Sequence, residues 1–456
     1  GRSGAGWLLG MLISGGLLVA SASLTGNFQP NGILLFWLVI AVVAGIRLGL
    51  RAVQPRPPAW PATLTKHVTP LQWIFIVVVL LLMALRLGGL AIENLHQPMS
   101  AWDAWLVWAE RARLWFETQS LTPYGSFSQW LNTANPDFHT TNGWEYPHAV
   151  SLIHLWAALG LGHWDNALVN LPWLFCLPAL AMVIYGTLRL TAVPVWLAVG
   201  GAWLLFSLPL LDSHAALAGY AELWLTLAFA VGISGLLVWH VQRNTLVLAL
   251  ALLSLASMPL IKGDPAYVLL ALALPALLWL LPWRWRLVLL ALAVLGIGLL
   301  LTFHGGHIEL GRFGGLGLSR ASLVVPILGV VSPDLGKMTS VLSQYMFVHD
   351  SWHMLWGMTL LALPVLLWRD WRDPMVQVLL LTIATAVTVY GLTYASPKLL
   401  PVIANGTVVS RGLMYLTPLA VFAMIHALGI RSRTAEEGNS AGRTARTAEA
   451  GVSPLS

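Results

Sequence analysis

Runs of about 20 apolar residues recur along the chain, and short polar segments separate them. A helix of that length crosses the roughly 30 Å hydrocarbon core of a bilayer. The composition agrees, because 58% of the 456 residues are hydrophobic and 9% are charged, against about 25% charged in soluble proteins. The 24 tryptophans are typical of a chain with many residues at the membrane–water interface. The sequence therefore predicts an all-α polytopic membrane protein, for which membrane lipid is the solvent.

We expect about twelve transmembrane helices. A further apolar stretch, 148–161, is short for a crossing and carries His154 in its middle, so it predicts a non-spanning half-helix on the outer surface. The predicted spans are 7–24, 32–46, 71–90, 166–188, 192–211, 222–241, 245–261, 265–282, 286–303, 353–368, 375–394 and 411–430.

The distribution of charge favours this topology. If 148–161 does not cross, most basic loops lie on one side of the membrane, as the positive-inside rule requires, and both termini are cytoplasmic. Most of the 18 acidic residues and 13 histidines then lie on the other side, which indicates that the outer face carries the chemistry. We expect the chain to divide into a helical hairpin with a basic cytoplasmic loop (1–70), a membrane module (71–303, outer loop 91–165), a glycine-rich outer loop (304–352), C-terminal membrane helices (353–430) and a disordered cytoplasmic tail (431–456).

Several other classes of protein fit the sequence less well. The basic residues are spread over loops between apolar segments, which indicates membrane orientation rather than nucleic-acid binding. The lone Cys176 offers no disulfide and no cysteine-based metal site. The first apolar segment, Trp7 to Ala22, resembles a signal peptide, but without a clear cleavage site we interpret it as a retained anchor.

The first outer loop begins with an aromatic segment around Asp103. On a helix the apolar residues Trp105, Trp108, Ala112 and Trp115 share one face and the charged residues Glu110, Arg113 and Glu117 share another. This predicts an amphipathic helix in the interface. Such a helix would hold Asp103 at the membrane surface. Asp103 is then either a catalytic carboxylate or a simple helix cap.

The half-helix is preceded by Trp144-Glu-Tyr-Pro-His148, where Pro147 suits a first helical turn. Glu145 or His148 is expected to face the same pocket as Asp103. His139, Glu145 and His148 are also candidates to bind a divalent metal, although their spacing matches no strong ligand motif. Any metal requirement therefore stays open.

Ionisable residues stand at the lips of later spans, where charge near hydrocarbon is expensive. Glu222 begins one span, and Lys262 and Asp264 lie at a turn; snorkelling or a Lys262–Asp264 contact is the alternative. Arg411 lies at the outer end of the last span and needs an anionic partner: a phosphate, a lipid headgroup or Glu222. Arg86 and Lys398 are weaker candidates for the same role, and Asn405-Gly-Thr is either a glycosylation sequon or a turn.

These motifs, in their order, resemble those of the GT-C superfamily of polytopic glycosyltransferases, which includes the protein mannosyltransferases and the aminoarabinose transferase of lipid A. The resemblance covers about 71–425 and rests on the aromatic helix of Asp103, Gly219-Tyr-Ala-Glu222, Lys262-Gly-Asp264 and Ser410-Arg-Gly-Leu413 with Pro418. It implies that Asp103 is the catalytic aspartate and Glu222 the acidic residue of the second outer loop. Lys262 matches the basic residue of a Lys-Pro-Glu-like turn; this chain reads Lys-Gly-Asp there, a departure that leaves the roles of Lys262 and Asp264 open.

The resemblance further implies a polyprenyl-phosphate sugar as donor and an active site on the periplasmic or outer face. We expect Lys262 and Arg411 to bind the donor phosphate and a glycan, lipid or protein to be the acceptor, in a bacterial inner (plasma) membrane. The loop 304–352 is expected to cover the donor site or shape the acceptor groove, unless it is only a solvated connector. The rival functions are a polytopic transporter, a lipid-linked glycan flippase or ligase, and a structural scaffold.

Overall fold

The computed structural model describes residues 2–53, 68–303, 306–309, 311, 314–318, 323–325, 329–331, 335–394 and 407–429. The predicted cytoplasmic tail 431–456, the later part of the basic loop of 1–70, and the candidates Lys398 and Asn405 lie outside the described residues.

The described chain is predominantly helical. Two π-helical segments, Ala104–Ala109 and Gln344–Val348, and a 3₁₀ turn, Leu168–Asn170, lie between α-helices. The α-helices are α1 (Arg2–Thr25), α2 (Pro30–Val53), α3 (Pro70–His96), α4 (Glu110–Thr118), α5 (Phe127–Asn132), α6 (Ala149–Leu161), α7 (Leu171–Leu190), α8 (Val195–Phe206), α9 (Pro209–Ala216), α10 (Glu222–Gln242), α11 (Thr245–Ile261), α12 (Gly263–Leu278), α13 (Trp283–Phe303), α14 (Leu335–Ser343), α15 (Leu355–Asp370), α16 (Pro374–Tyr394) and α17 (Thr407–Gly429).

Six of the helices in the described chain are long and apolar enough to cross a membrane: α1, α3, α7, α10, α16 and α17. The pair α8 and α9 also passes the test of length and composition, but it bends by 60° at the break between its halves, where Pro209 begins α9. The protein is therefore an integral membrane protein, and its described membrane portion is all-α. Each predicted span overlaps a helix, and the count of about twelve crossings stays a prediction.

Helix α10 forms the centre of the bundle. In its most apolar window 83% of the residues are buried inside the protein, against 17% for α3. Helix α10 packs against α7, α11, α12 and α17, whereas α3 exposes Leu81, Leu85 and other large apolar side chains. Apolar residues that no helix covers are what a lipid-facing helix presents. Polar side chains on α10 are therefore held by protein rather than by lipid.

Side-chain contacts define the two ends of this bundle. At one end, the first residue of α10, Glu222, meets Lys262 after α11 and Arg411 near the start of α17. At the opposite end, Gln242 of α10 donates to the carbonyl of Leu190 at the end of α7. The predicted outer residues thus gather at a single end, opposite the end where α7 and α10 finish.

The aromatic helix of the first outer loop differs from its prediction in one respect. Its first part, Ala104–Ala109, is π-helical, so its backbone bonds run from residue i to i+5 and its turns are wider than α-helical ones. Trp108, Ala112 and Trp115 are buried, whereas Trp105 is 46% exposed. Trp105 is thus the one tryptophan of the predicted apolar face that the protein leaves open, at the wide π-helical turn.

The segment 304–352 contains secondary structure that the sequence did not predict. Four short strands, β1 (His307–Glu309), β2 (Gly315–Leu318), β3 (Leu323–Val325) and β4 (Gly329–Val331), form an antiparallel meander in the order β1-β2-β3-β4. Helix α14 and the second π-helical segment follow the strands. Glycines weaken strand propensity, which is why this stretch reads as a plain loop in the sequence.

Candidate functional site

Four charged side chains from distant parts of the chain meet at one end of the bundle. Glu222 Oε1 accepts a hydrogen bond from Lys262 Nζ at 2.6 Å and another from Arg411 Nη1 at 3.1 Å. Arg411 Nη1 also reaches Asp103 Oδ2 at 3.3 Å. We call Asp103, Glu222, Lys262 and Arg411 the charged cluster. Its two carboxylates and two cations balance each other in charge.

Burial differs sharply within the charged cluster. The side chain of Glu222 is 1% exposed and that of Lys262 is 14% exposed, whereas Arg411 and Asp103 are 26% and 39% exposed. A buried carboxylate is stable only when it is paired and hydrogen-bonded, and Glu222 has two cations on one oxygen. Asp103 and Arg411 therefore form the accessible side of the cluster, and Glu222 forms its floor.

Asp103 does not act as a helix cap. It precedes the π-helical segment, but its backbone is already helical and its side chain makes no capping hydrogen bond. The carboxylate instead contacts Arg411, which lies 308 residues further along the chain. Of the two interpretations that the sequence left open, the structure therefore excludes simple capping.

For Arg411 and Lys262, the structure shows which of the partners considered in the sequence analysis they contact. Arg411 contacts Glu222, one of the three partners considered, and its guanidinium lies 4.9 Å from the centre of the Tyr220 ring. Lys262 forms its ion pair with Glu222 rather than with Asp264, its neighbour in the turn. Asp264 is exposed in the first turn of α12, where a carboxylate favours the helix N-terminus.

Local backbone geometry brings these residues together. Gly219 has φ +106°, a left-handed conformation that side chains rarely adopt, and a Cβ there would lie 2.6 Å from the Cβ of Ala104. This close approach puts the segment before Glu222 against the segment after Asp103. Trp173 Nε1 donates to the carbonyl of Tyr220 at 2.7 Å and fixes the same turn. Lys262 is extended, with φ −155°, between α11 and α12, so its side chain leaves the helical pattern.

The structure adds His214 and Tyr220 to the cluster, and sequence reasoning did not single them out. The ring centres of the two lie 5.7 Å apart. Within the described chain, His214 Nε2 and Glu222 Oε2 are buried and have no hydrogen-bond partner. Burial raises the pKa of Tyr220, and the nearby Arg411 opposes that effect. Their nearness in the sequence to Glu222, with Tyr220 inside the motif Gly219-Tyr-Ala-Glu222, was the available signal.

The remaining predicted residues lie elsewhere in the segment 91–165, the predicted outer loop. Glu145 is exposed, and His148 Nδ1 lies 3.0 Å from Nη1 of Arg111. The main-chain N–H of His139 donates to the carbonyl of Pro123, and the main-chain carbonyl of His139 accepts from the N–H of Gly125. Among the residues that the structure describes, no three His, Cys, Asp or Glu side chains are grouped so as to hold a metal ion. His139, Glu145 and His148 therefore do not form the metal cluster considered as an alternative.

Arg111 is a structural residue that the sequence analysis overlooked. Its side chain is fully buried and donates to the backbone carbonyls of Gly143, Trp144 and Tyr146. Burial lowers the pKa of Arg111. Burial, together with the adjacent Arg111 charge, also lowers the pKa of His148. Arg111 thus fastens the segment 143–148 onto the helix that follows Asp103.

Arg86 has a partner outside the charged cluster. Its Nε donates to Asp212 Oδ1 at 2.8 Å, and both side chains are about one-third exposed. The ion pair links α3 to α9 and neutralises the charge of Arg86.

Comparison with known proteins gives no relative. No protein-family model, no curated protein and no solved structure matches the chain.

Proposed function

We propose that the protein is a membrane glycosyltransferase that moves a sugar from a polyprenyl-phosphate donor to a hydroxyl of a cell-envelope acceptor. The observation that carries the proposal is the charged cluster: an accessible carboxylate, Asp103, beside two cations held by a buried glutamate. The resemblance in motifs to the GT-C superfamily supports the same reading. Twelve crossings, cytoplasmic termini, a bacterial inner membrane and an outward-facing site belong to this proposal.

The two cations suit a lipid-linked phosphate. Arg411 has five N–H donors in a planar fork that matches phosphate oxygens, and only part of them is used by Asp103 and Glu222. Lys262 adds a second positive charge on the same carboxylate oxygen of Glu222. The cluster stands at the end of apolar helices, so a phosphate can bind there while its polyprenyl chain stays in lipid.

Asp103 is the proposed general base. The acceptor hydroxyl attacks the anomeric carbon, and the bond from that carbon to the phosphate oxygen breaks. Asp103 takes the hydroxyl proton, and the departing polyprenyl phosphate keeps the bonding electrons. Lys262 and Arg411 stabilise the negative charge that develops on the phosphate, in a partly dehydrated site where such contacts are strong. A single displacement of this kind inverts the anomeric centre.

Glu222 is the proposed positioning residue. It is buried and touches both cations, so it fixes their side chains before a donor arrives. Glu222 neutralises one of the two positive charges of Lys262 and Arg411. The pair can therefore bind a phosphate without binding anions indiscriminately.

The donor site is tested first with the lipids that copurify with the protein. Wild type, Arg411→Ala and Arg113→Ala are isolated in mild detergent, and the bound lipids are identified by mass spectrometry. Arg113 is a matched control, because it pairs with Glu117 in an exposed ion pair. We expect polyprenyl phosphate or its glycoside with wild type and Arg113→Ala, and at least tenfold less with Arg411→Ala. Equal amounts in all three variants would contradict the proposal.

The chemistry is tested separately with Asp103→Asn. Protein in nanodiscs receives a radiolabelled polyprenyl-phosphate hexose or pentose and cell-envelope glycan, and the label transferred to glycan is counted. Asp103→Asn is expected to retain bound polyprenyl phosphate and lose transfer at least a hundredfold. Asp137→Asn, an exposed carboxylate in the same loop, is the control and should be active. Normal transfer by Asp103→Asn would remove Asp103 from the role of base.

A further inference from the structure

A cavity with a mixed polar and apolar lining lies beside the helix that carries Asp103. It has a volume of about 590 Å³, which is within the range of ligand sites in proteins, and it is open to solvent on one side. Two stretches of chain form its walls, 106–110 and 140–145, with Phe127 of α5 between them. We call this cavity the loop pocket. Its lining residues are Leu106, Glu110, Phe127, Thr140, Thr141, Asn142, Gly143, Trp144 and Glu145.

Hydrogen bonds within the protein fix the wall of the loop pocket. Fully buried Arg111 holds its far wall by hydrogen bonds to the carbonyls of Gly143 and Trp144. Thr141 Oγ1 donates to the carbonyl of Leu106 at 2.6 Å and ties the same wall to the helix after Asp103. Gly143 has φ +71°, and a Cβ there would lie 2.5 Å from the Tyr146 ring. The backbone of the wall is thus fixed by contacts that do not involve a ligand.

The chemistry of the lining indicates its ligand. Glu110 and Glu145 supply carboxylate oxygens that only accept hydrogen bonds, and neither makes a hydrogen bond to another described residue. Asn142 and Thr140 can both donate and accept, and Trp144 offers an aromatic face. The described lining contains no lysine or arginine. Such a surface repels phosphate and suits a neutral molecule with many hydroxyl donors on a partly apolar ring.

The position of the loop pocket connects it to the charged cluster. Leu106 lies three residues beyond Asp103 and Glu110 seven residues beyond it, so the pocket lies at most about 10 Å from Asp103 along the helix axis. Arg411 contacts Asp103 itself, and Lys262 contacts Glu222, whereas the acidic residues Glu110 and Glu145 line the loop pocket. Phosphate and hydroxyl-rich ligands therefore have separate places along one helix.

We infer that the loop pocket binds the acceptor, and that the acceptor is the end of a neutral glycan chain. This inference rests on the proposed transferase function and adds the substrate class to it. The open side of the cavity leaves room for the rest of the chain, so the sugar nearest Asp103 presents its hydroxyl to the base. Trp144 and Glu145 are the specificity residues: the ring covers one sugar face and the carboxylate accepts hydroxyl hydrogen bonds.

The test measures binding of two probes to protein in nanodiscs. One probe is a panel of neutral trisaccharides built from glucose, mannose, galactose or arabinose, detected by saturation-transfer NMR; the other is spermine, a cation without hydroxyls. The variants are Trp144→Ala and Glu145→Gln. Their controls are Trp283→Ala and Glu117→Gln, which replace exposed side chains of the same kind away from the pocket. Copurified polyprenyl phosphate is measured in every sample.

We expect at least one trisaccharide to bind wild type and both controls, and to bind Trp144→Ala and Glu145→Gln at least tenfold more weakly, with copurified polyprenyl phosphate unchanged. Arg411→Ala should show the reverse pattern. If no trisaccharide binds wild type, if binding survives in both pocket variants, or if spermine alone binds, the inference is overturned. If a trisaccharide binds through Trp144 while wild type holds no polyprenyl phosphate, the glycan pocket stands and the transferase proposal fails.

Discussion

Glu222→Gln should be strongly destabilising, although glutamine has almost the same shape. Glu222 is 1% exposed, and its Oε1 touches Lys262 Nζ at 2.6 Å and Arg411 Nη1 at 3.1 Å. Removing the charge leaves two poorly solvated cations side by side. Breaking a buried ion pair by deleting one partner costs roughly 3–5 kcal/mol. Since Arg411 keeps its contact with Asp103 at 3.3 Å, we expect the lower end, about 3 kcal/mol.

The matched control is Glu117→Gln. Glu117 pairs with Arg113 one helical turn away, and both side chains are more than half exposed, so the loss should be about 0.3–0.5 kcal/mol. The assay is equilibrium unfolding in mixed micelles of mild and denaturing detergent, followed by the fluorescence of the 24 tryptophans. The double variant Glu222→Gln/Lys262→Met should recover most of the loss, because it removes the stranded ammonium together with its partner. If Glu222→Gln is no less stable than Glu117→Gln, the charged cluster does not carry the energy assigned to it here.

Three further variants test the backbone and the loop. Gly219→Ala should lower the free energy of unfolding by about 1–3 kcal/mol, because φ is +106° and the new Cβ meets Ala104. Its control is Gly88→Ala in α3, where a Cβ meets open space, and this variant should lose no stability in the same unfolding assay. Gly143→Ala should cost a similar 1–3 kcal/mol and weaken trisaccharide binding, since the new Cβ meets Tyr146; unchanged binding would show that the wall tolerates it. Folding lowers the pKa of His148, so the unfolded chain binds more protons and the stability of the protein falls as the pH drops through the ordinary histidine range. His148→Gln should therefore lose less stability than wild type between about pH 7.5 and 5.5. An equal loss in both proteins would contradict this argument.

The sequence predicted the helical segments well because the property that specifies them is local. A long apolar run in a bilayer must satisfy its backbone internally, so each run becomes a helix whatever its neighbours are. The break between α8 and α9 was missed, although Pro209 stood in the sequence, because a proline in a long apolar run is compatible with either a kink or an end.

Three of the predicted site residues, Glu222, Lys262 and Arg411, were found by one physical criterion: charge at the end of an apolar span is costly and needs a reason. That criterion selects residues but not partners. Which carboxylate meets which cation depends on how α10, α11 and α17 pack, and the pairing of Arg411 with Asp103 joins residues 308 positions apart. Arg111 escaped notice because it lies in a loop helix, where the criterion of charge at the end of a span does not apply, although its spacing of three and four residues from Trp108 and Trp115 places it on their side of the helix.

In the proposed reaction a negative charge moves from one side of Arg411 to the other. Asp103 becomes neutral as it takes the acceptor proton, while the phosphate gains a charge as the glycosyl bond breaks. Arg411 contacts Asp103 at 3.3 Å and shares Glu222 Oε1 with Lys262, so it lies between the carboxylate that loses charge and the cation that receives the phosphate. A guanidinium can bind both groups at once through different N–H donors. The total charge around it is the same before and after transfer, so the surrounding helices have no new charge to solvate, and a preorganised site of this kind needs little reorganisation during the reaction.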